Sequence, residues 1–281
     1  MQLFLIYEDN NIFHNFYQTL SYPIDDITEV IVNRSSNPWK LFFLRRLFPN
    51  ARIRNYAYDL IPQLNMIAPY DHMRFIKYSI IPNILSAVTR TSSKDTGEYI
   101  LINQRPEDDR YVYADDMPLE VFLKDMPIKV VNFGKMTPAE QAEACSKAKL
   151  FISAHGAGCT NLIYTPIDCP LIEINFRKNW YCDPVCDKHF SGELDINKPC
   201  GSQLKIPFHK ADYHNLCYAI GKPYYEVEAL RYEEIANRNP ISKKRIYISG
   251  QELIELIRCS VDSSNVLVRE PNDQGLPSQS S

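Results

Sequence analysis

Short, nearly uninterrupted apolar runs recur along the chain, and they restrict its fold more than any other feature. They are LFLIY (3–7), EVIVN (29–33), NMIAP (65–69), YILIN (99–103), KVVNF (129–133), LFISA (150–154) and LIEIN (171–175). A strand with one wet face alternates apolar and polar residues, whereas a strand buried on both faces reads as a continuous apolar run. Such strands belong to parallel sheets, whose crossovers are usually helices. Helix-compatible segments do lie between the runs, at 40–48, 75–88 (interrupted by Pro82), 118–126, 137–148 and 212–220. The expected class is therefore α/β, with helices covering parallel sheets.

Local signals refine this pattern. Thr137-Pro138-Ala139-Glu140 supplies the N-cap, first-turn proline and N3 glutamate of a capping box. Ser249-Gly250-Gln251-Glu252 repeats the Ser-x-x-Glu spacing before ELIELIRCS. The polar stretch TRTSSKDTG (89–97) lacks apolar periodicity and reads as a boundary. The expected division is 1–93 for an N-terminal Rossmann-like domain, 94–268 for a C-terminal one, and 269–281 for a disordered tail. Two such halves place a ligand at the carboxyl ends of their strands.

Composition excludes several classes of function. Thirty-one basic and 34 acidic residues give a net charge of −3 with no concentrated basic face, so a nucleic-acid partner is not expected. The start, MQLFLIYEDNN, has no basic n-region, and no run is long enough to span a bilayer. The expectation is a soluble, cytoplasmic chain. Cys145, Cys159, Cys169, Cys217 and Cys259 are scattered among regular elements, as free buried thiols would be. Cys182, Cys186, His189 and Cys200 have metal-ligand chemistry but no paired Cys-x-x-Cys units, so no metal site is assigned. The oligomeric state is not legible.

The most informative stretch is LFISAHGAGCTNLIY (150–164), in which a buried strand runs into His155-Gly156-Ala157-Gly158 and then a helical segment from about Thr160. Small residues at such a turn let the backbone approach a ligand, and N–H groups at a helix start suit a diphosphate. A plain strand-to-helix turn fits the same residues. Downstream, Leu171-Ile172-Glu173-Ile174-Asn175 brings a carboxylate towards the same edge, and DYHNLCYAIGKPYYEVE (212–228) reads as helix, glycine stop and strand.

Together these motifs resemble glycosyltransferase family sixty-one, whose members carry HGAG-[LM]-x-N after a strand, then an Ile-Glu strand, then a glycine followed by Tyr-Tyr. Here they stand as His155-Gly156-Ala157-Gly158-Cys159-Thr160-Asn161, Ile172-Glu173 and Gly221 with Tyr224-Tyr225. YILINQR (99–105) resembles the family's strand ending in arginine, with Arg110 nearby, and Asn11-Ile12-Phe13-His14 resembles its N-x-x-H motif. Two departures stand out: Cys159 replaces an apolar residue, and Gln18 stands where the family often has an acid.

The resemblance implies a GT-B-like fold, with two Rossmann-like domains facing each other across a cleft. It also implies inverting, metal-independent transfer from a UDP-sugar to a hydroxyl of a glycan acceptor. Xylose is the favoured sugar, with N-acetylglucosamine or arabinose next, and no further cofactor is expected. Lacking the anchor and stalk of the eukaryotic enzymes, the chain reads as a minimal version, virally encoded or otherwise cytoplasmic. The sequence contains no Asp-x-Asp, in line with metal independence. Without a cation, the leaving UDP relies on protein dipoles and cations. Arg105, Arg110, His155, Gly156, Ala157, Gly158, Thr160 and Asn161 are the candidates for this role. Glu173 is the candidate for the ribose hydroxyls, with a structural carboxylate as its alternative. Asp71 is the candidate base on the acceptor, with His14 positioning donor or acceptor; capping and packing roles stay open for both. An inactive nucleotide- or carbohydrate-binding module is the main rival. An NAD-dependent oxidoreductase is disfavoured, because the first strand is not followed by G-x-G-x-x-G, and a serine hydrolase because G-x-S-x-G is absent.

Overall fold

The computed structural model describes residues 2–5, 27–33, 38–56, 81–94, 97–105, 110–176, 181–182, 206–207, 213–234 and 243–264. Strands β1 (Gln2–Leu5), β2 (Glu29–Asn33) and β3 (Arg52–Tyr56) form a parallel sheet in that order. Helix α1 (Pro38–Leu47) links β2 to β3, and α2 (Ile81–Thr91) follows. β3 does not appear among the expected strands, because arginines interrupt its apolar pattern; Arg54 pairs with Glu29 of β2 at 3.1 Å. The expected strand at 65–69 lies outside the described residues.

From β4 (Tyr99–Asn103) onwards the chain builds two larger sheets. β5 (Tyr111–Ala114), β6 (Met117–Pro118) and the short α3 (Leu119–Phe122) lead to β7 (Ile128–Val131). Helix α4 (Pro138–Ser146), β8 (Ala148–Ala154), a 3₁₀ segment (Ala157–Tyr164) and β9 (Leu171–Asn175) come next. The small pair β10 (Tyr181–Cys182) and β11 (Ile206–Pro207) precedes α5 (Tyr213–Ile220) and β12 (Tyr224–Glu228). β13 (Arg231–Glu234), β14 (Lys243–Ile248) and α6 (Gly250–Ser264) complete the described chain.

The main sheet is wholly parallel, in the order β12-β9-β8-β4-β7. Its first strand in the chain, β4, is thus followed by β7 on one side and by β8 on the other. This is a doubly wound arrangement with a topological switch point between β4 and β8. One sheet face, through Leu101, Phe151 and Leu171, shares an apolar cluster with Trp39, Phe43 and Leu44 of α1, Val88 of α2 and Leu216 of α5. The other face, through Ile100, Ile152, Ile172 and Ile174, packs on Val112, Ile246 and Leu253. Burial on both faces explains why β4, β8 and β9 read as continuous apolar runs.

The second sheet, β13-β14-β5-β6, is mixed. Its outward residues form a ladder in which Tyr113 stacks on Tyr247 (5.1 Å) and the Arg231 guanidinium lies 3.5 Å from the Tyr247 ring centroid. The β5–β6 hairpin turns on Asp115 and Asp116, both at positive φ (46° and 63°). The helix expected over 118–126 is reduced to α3, its first residue belonging instead to β6. α2 runs into the expected boundary as far as Thr91, whose hydroxyl is buried, donates to Ala87 O (2.8 Å) and lies 3.2 Å from Ile163 O. Both expected caps form: Glu140 N–H donates to Thr137 Oγ1 while Glu140 Oε2 accepts from Thr137 N–H, and Glu252 N–H donates to Ser249 Oγ. Gly221 ends α5 at φ 71°, with Lys222 N–H donating back to Cys217 O. Cys145, Cys159, Cys169 and Cys217 are free and buried as expected, whereas Cys259 is free and exposed.

Candidate functional site

β4, β8 and β9 are parallel, so their carboxyl ends share one edge. Gln104 and Arg105 follow β4, His155 and Gly156 follow β8, and Phe176 follows β9. The pairing of Asn103 with Ser153 sets the first two pairs at one level, across the switch point. In open parallel sheets this crevice is where ligands bind.

Two guanidinium groups converge on the glycine turn there. Gly156 has φ 152°, and a Cβ on it would collide with Arg110 Nη1 and lie 3.4 Å from Arg105 Nη2. The turn therefore requires glycine both for its backbone and for the approach of the arginines. Arg110 Nη1 donates to His155 O (2.9 Å), and its guanidinium lies 5.5 Å from the Phe176 ring centroid. At Gly158 the constraint is space alone, because a Cβ would stand 2.7 Å from Asn103 Nδ2. At the start of the 3₁₀ segment, the N–H groups of Ala157 and Gly158 meet no acceptor among the described residues. Two cations and two such N–H groups at one turn are the chemistry that an anion site requires.

Behind the turn, polar side chains occupy one register level of the apolar sheet. Asn103, Ser153, Glu173 and Glu226 pair across β4, β8, β9 and β12. Asn103 Nδ2 donates to Ser153 Oγ (3.0 Å). Glu173 is fully buried, and a buried carboxylate needs donors on its oxygens. His155 Nδ1 hydrogen-bonds to Oε1, and Tyr224 Oη donates to Oε2 (2.8 Å). Tyr224 also lies 3.3 Å from Glu226 Oε2, while Asn175 Nδ2 donates to Glu226 Oε1 (3.2 Å). Burial first, and the neighbouring Glu173 and Glu226 carboxylates next, raise the Tyr224 pKa and keep its phenol a donor. The bond to Glu173 fixes the tautomer of His155, whose ring is met edge-on by Tyr213 (5.6 Å) and Phe176 (6.4 Å). Tyr213 Oη in turn donates to Gly156 O (2.8 Å). Cys159, the departure within the motif, is buried; burial pushes its thiol up to about 12, so it packs as an apolar residue rather than a nucleophile.

The structure brings together Arg105, Arg110, His155, the turn Gly156-Ala157-Gly158, Thr160, Asn161 and Glu173, but several of them are turned into the protein interior. Asn161 is spent inside the protein, accepting from Trp39 Nε1 (3.2 Å) and donating to Gln141 Oε1 (3.0 Å). Thr160 is fully buried, and its hydroxyl has no partner among the described residues. Both oxygens of Glu173 are occupied by protein donors, so the carboxylate serves His155 and is not presented to ribose hydroxyls. His14 and Asp71 lie outside the described residues, as do Cys186, His189 and Cys200. Among the described residues, no group of three or more His, Cys, Asp or Glu side chains is placed to hold a metal ion. No described helix is long and apolar enough to cross a membrane. Sequence reasoning missed Gln104, Phe176, Tyr213 and the role of Tyr224. Only Tyr224 carried a signal, as the first residue of the Tyr-Tyr pair.

A sequence profile described as Glycosyltransferase 61 matches residues 10–172, more than half of the chain. The match takes in the arginine-ended strand and the whole glycine turn. A search of curated proteins returns no match.

Proposed function

Since the chain belongs to the glycosyltransferase 61 family, we propose that it transfers a sugar from a UDP-sugar to a hydroxyl of a glycan acceptor, with inversion and without a metal ion. One observation carries this reading: Arg105 and Arg110 converge on the glycine turn at the switch point of a parallel sheet. There the arginines and the Ala157 and Gly158 N–H groups would bind the diphosphate and stabilise its charge as the sugar departs. Arginine suits the task because its planar fork matches phosphate oxygens. Held by Glu173 and Tyr224, His155 is preorganised beside the same turn. A second, N-terminal Rossmann-like half across a GT-B cleft would bring the acceptor, with Asp71 as base and His14 orienting one substrate. Xylose is the preferred donor sugar on family resemblance.

Calorimetric titration with UDP, UDP-xylose, UDP-N-acetylglucosamine and NAD, in EDTA, tests the reading. A hydrogen bond to a charged group contributes about 1.5–3 kcal/mol, so Arg105→Ala is expected to weaken UDP binding roughly 10- to 100-fold. Binding of NAD alone, or of no uridine nucleotide, would remove the donor site from this turn. A catalytically inactive binding module of the same fold is favoured by Gln18, which stands where relatives often have an acid. Donor hydrolysis and transfer assays separate the two, since the module would bind UDP without turning over a UDP-sugar.

A further inference from the structure

A side-chain amide ties together the two stretches of chain that carry the arginines. Gln104 follows directly on the last residue of β4 and is 4% exposed. A buried amide must satisfy its donors and its acceptor, and Gln104 does so mainly with one residue of β5. Its Oε1 accepts from Val112 N–H (3.1 Å), and its Nε2 donates to Val112 O (3.0 Å). The side chain thus imitates one residue of a paired strand. Nε2 also donates to Glu120 Oε2 (2.9 Å), and the Gln104 backbone N–H donates to Val131 O (2.8 Å). Gln104 therefore ties the end of β4 to β5, to α3 and to the end of β7.

Arg105 follows Gln104 directly, and Arg110 and Tyr111 precede Val112. Arg110 has φ 61°, a conformation that non-glycine residues seldom adopt. Such a backbone persists only where its surroundings over-determine it, and it gathers at ligand clamps. Here the surroundings hold it from both directions. Tyr111, next in the chain, donates its hydroxyl to Glu120 Oε1, Val112 is pinned by Gln104, and the Arg110 guanidinium is anchored on His155 O.

We propose that Gln104, braced by Glu120, is a positioning residue that holds Arg105 and Arg110 against the glycine turn, ready for a nucleoside diphosphate. This rests on the reading of the turn as the donor-diphosphate site. Long side chains that are already ordered lose less freedom when a ligand binds, so the brace acts on affinity for the diphosphate and not on contacts with the nucleoside.

Titration of wild type, Gln104→Ala, Glu120→Ala and Glu120→Gln with uridine and with UDP tests it. Near-UV circular dichroism reports whether each variant keeps its native packing. Wild type is expected to prefer UDP to uridine. Gln104→Ala should weaken UDP roughly tenfold and leave uridine unchanged. Glu120→Ala should show a smaller loss of the same kind, and Glu120→Gln, which retains an acceptor oxygen, should recover most of it. If Gln104→Ala does not fold, the Glu120 pair decides alone. Equal weakening of uridine and UDP, or unchanged UDP binding in a folded variant, would overturn the positioning role. A wild type without preference for UDP would overturn the diphosphate reading itself.

Discussion

Glu173 has no exposed surface, yet it lies directly behind the turn proposed to hold the donor diphosphate. Its two oxygens accept from an imidazole and a phenol, so removing either donor takes a hydrogen bond from a buried carboxylate. Unsatisfied buried groups cost about 1–3 kcal/mol, more when charged. Glu173→Gln is expected to destabilise by about this amount, because it removes the charge that the imidazole bond uses and obliges the Tyr224 hydroxyl to turn and accept. Tyr224→Phe removes a single hydrogen bond and should cost less. The double variant should cost less than the sum, with a coupling of about 0.5–3 kcal/mol, measurable by urea denaturation of the four proteins. Simple additivity would mean that the Tyr224–Glu173 bond is not made in solution. Lys222 shows the same economy away from the site. Its ammonium is buried and donates to Thr165 Oγ1 (2.6 Å), Thr165 O (3.3 Å) and Pro166 O, which fastens the segment leading into β9.

At the scale of elements, α4 offers a cap whose contribution changes with pH. Glu140 accepts from the Thr137 hydroxyl and from its N–H, and these bonds hold its carboxyl below the ordinary range. A carboxyl depressed in the folded state adds stability above its unfolded pKa and loses it as pH falls through the folded one. The stability gap between wild type and Glu140→Gln should therefore be present at neutral pH and fade in acid, as thermal melts across the acid range would show. Thr137→Ala is expected to cost about 1 kcal/mol at neutral pH. This cap was legible in the sequence because all its bonds are local, and β4, β8 and β9 were legible because both their faces are buried. β5, β13 and β14 were not: their outward tyrosines, arginines and glutamates break the apolar pattern, and the Asp115-Asp116 turn reaches positive φ without glycine. The candidate site divides in the same way. Arg105, Arg110 and the glycine turn stand in recognisable local motifs. The Gln104–Glu120 brace and the double occupation of Glu173 depend on strand register and loop closure, which no local motif encodes.

Across the whole molecule, the apolar cluster on one face of the main sheet runs without a break from α1 through α4 and the 3₁₀ segment to α5. The Trp39–Asn161 bond crosses the same region and joins α1 to the residues just after the glycine turn. The described parts are therefore expected to unfold together, with tryptophan fluorescence and far-UV dichroism giving coincident denaturation curves. UDP at about 100 times its Kd should move the whole transition, by about 2.7 kcal/mol or roughly 5–10 °C. Separated transitions, only one of them moved by UDP, would show that the cluster does not couple these parts. The polar level Asn103–Ser153–Glu173–Glu226 has a consequence for how such a chain assembles. Parallel strands as uniformly apolar as these could slide past one another with little change in burial. A one-residue slip of β9, however, would turn Glu173 to the opposite face, into the apolar interior lined by Val112, Ile246 and Leu253. An unpaired carboxylate there would cost several kcal/mol, so a misaligned sheet is rejected by the same side chain that holds His155 in place.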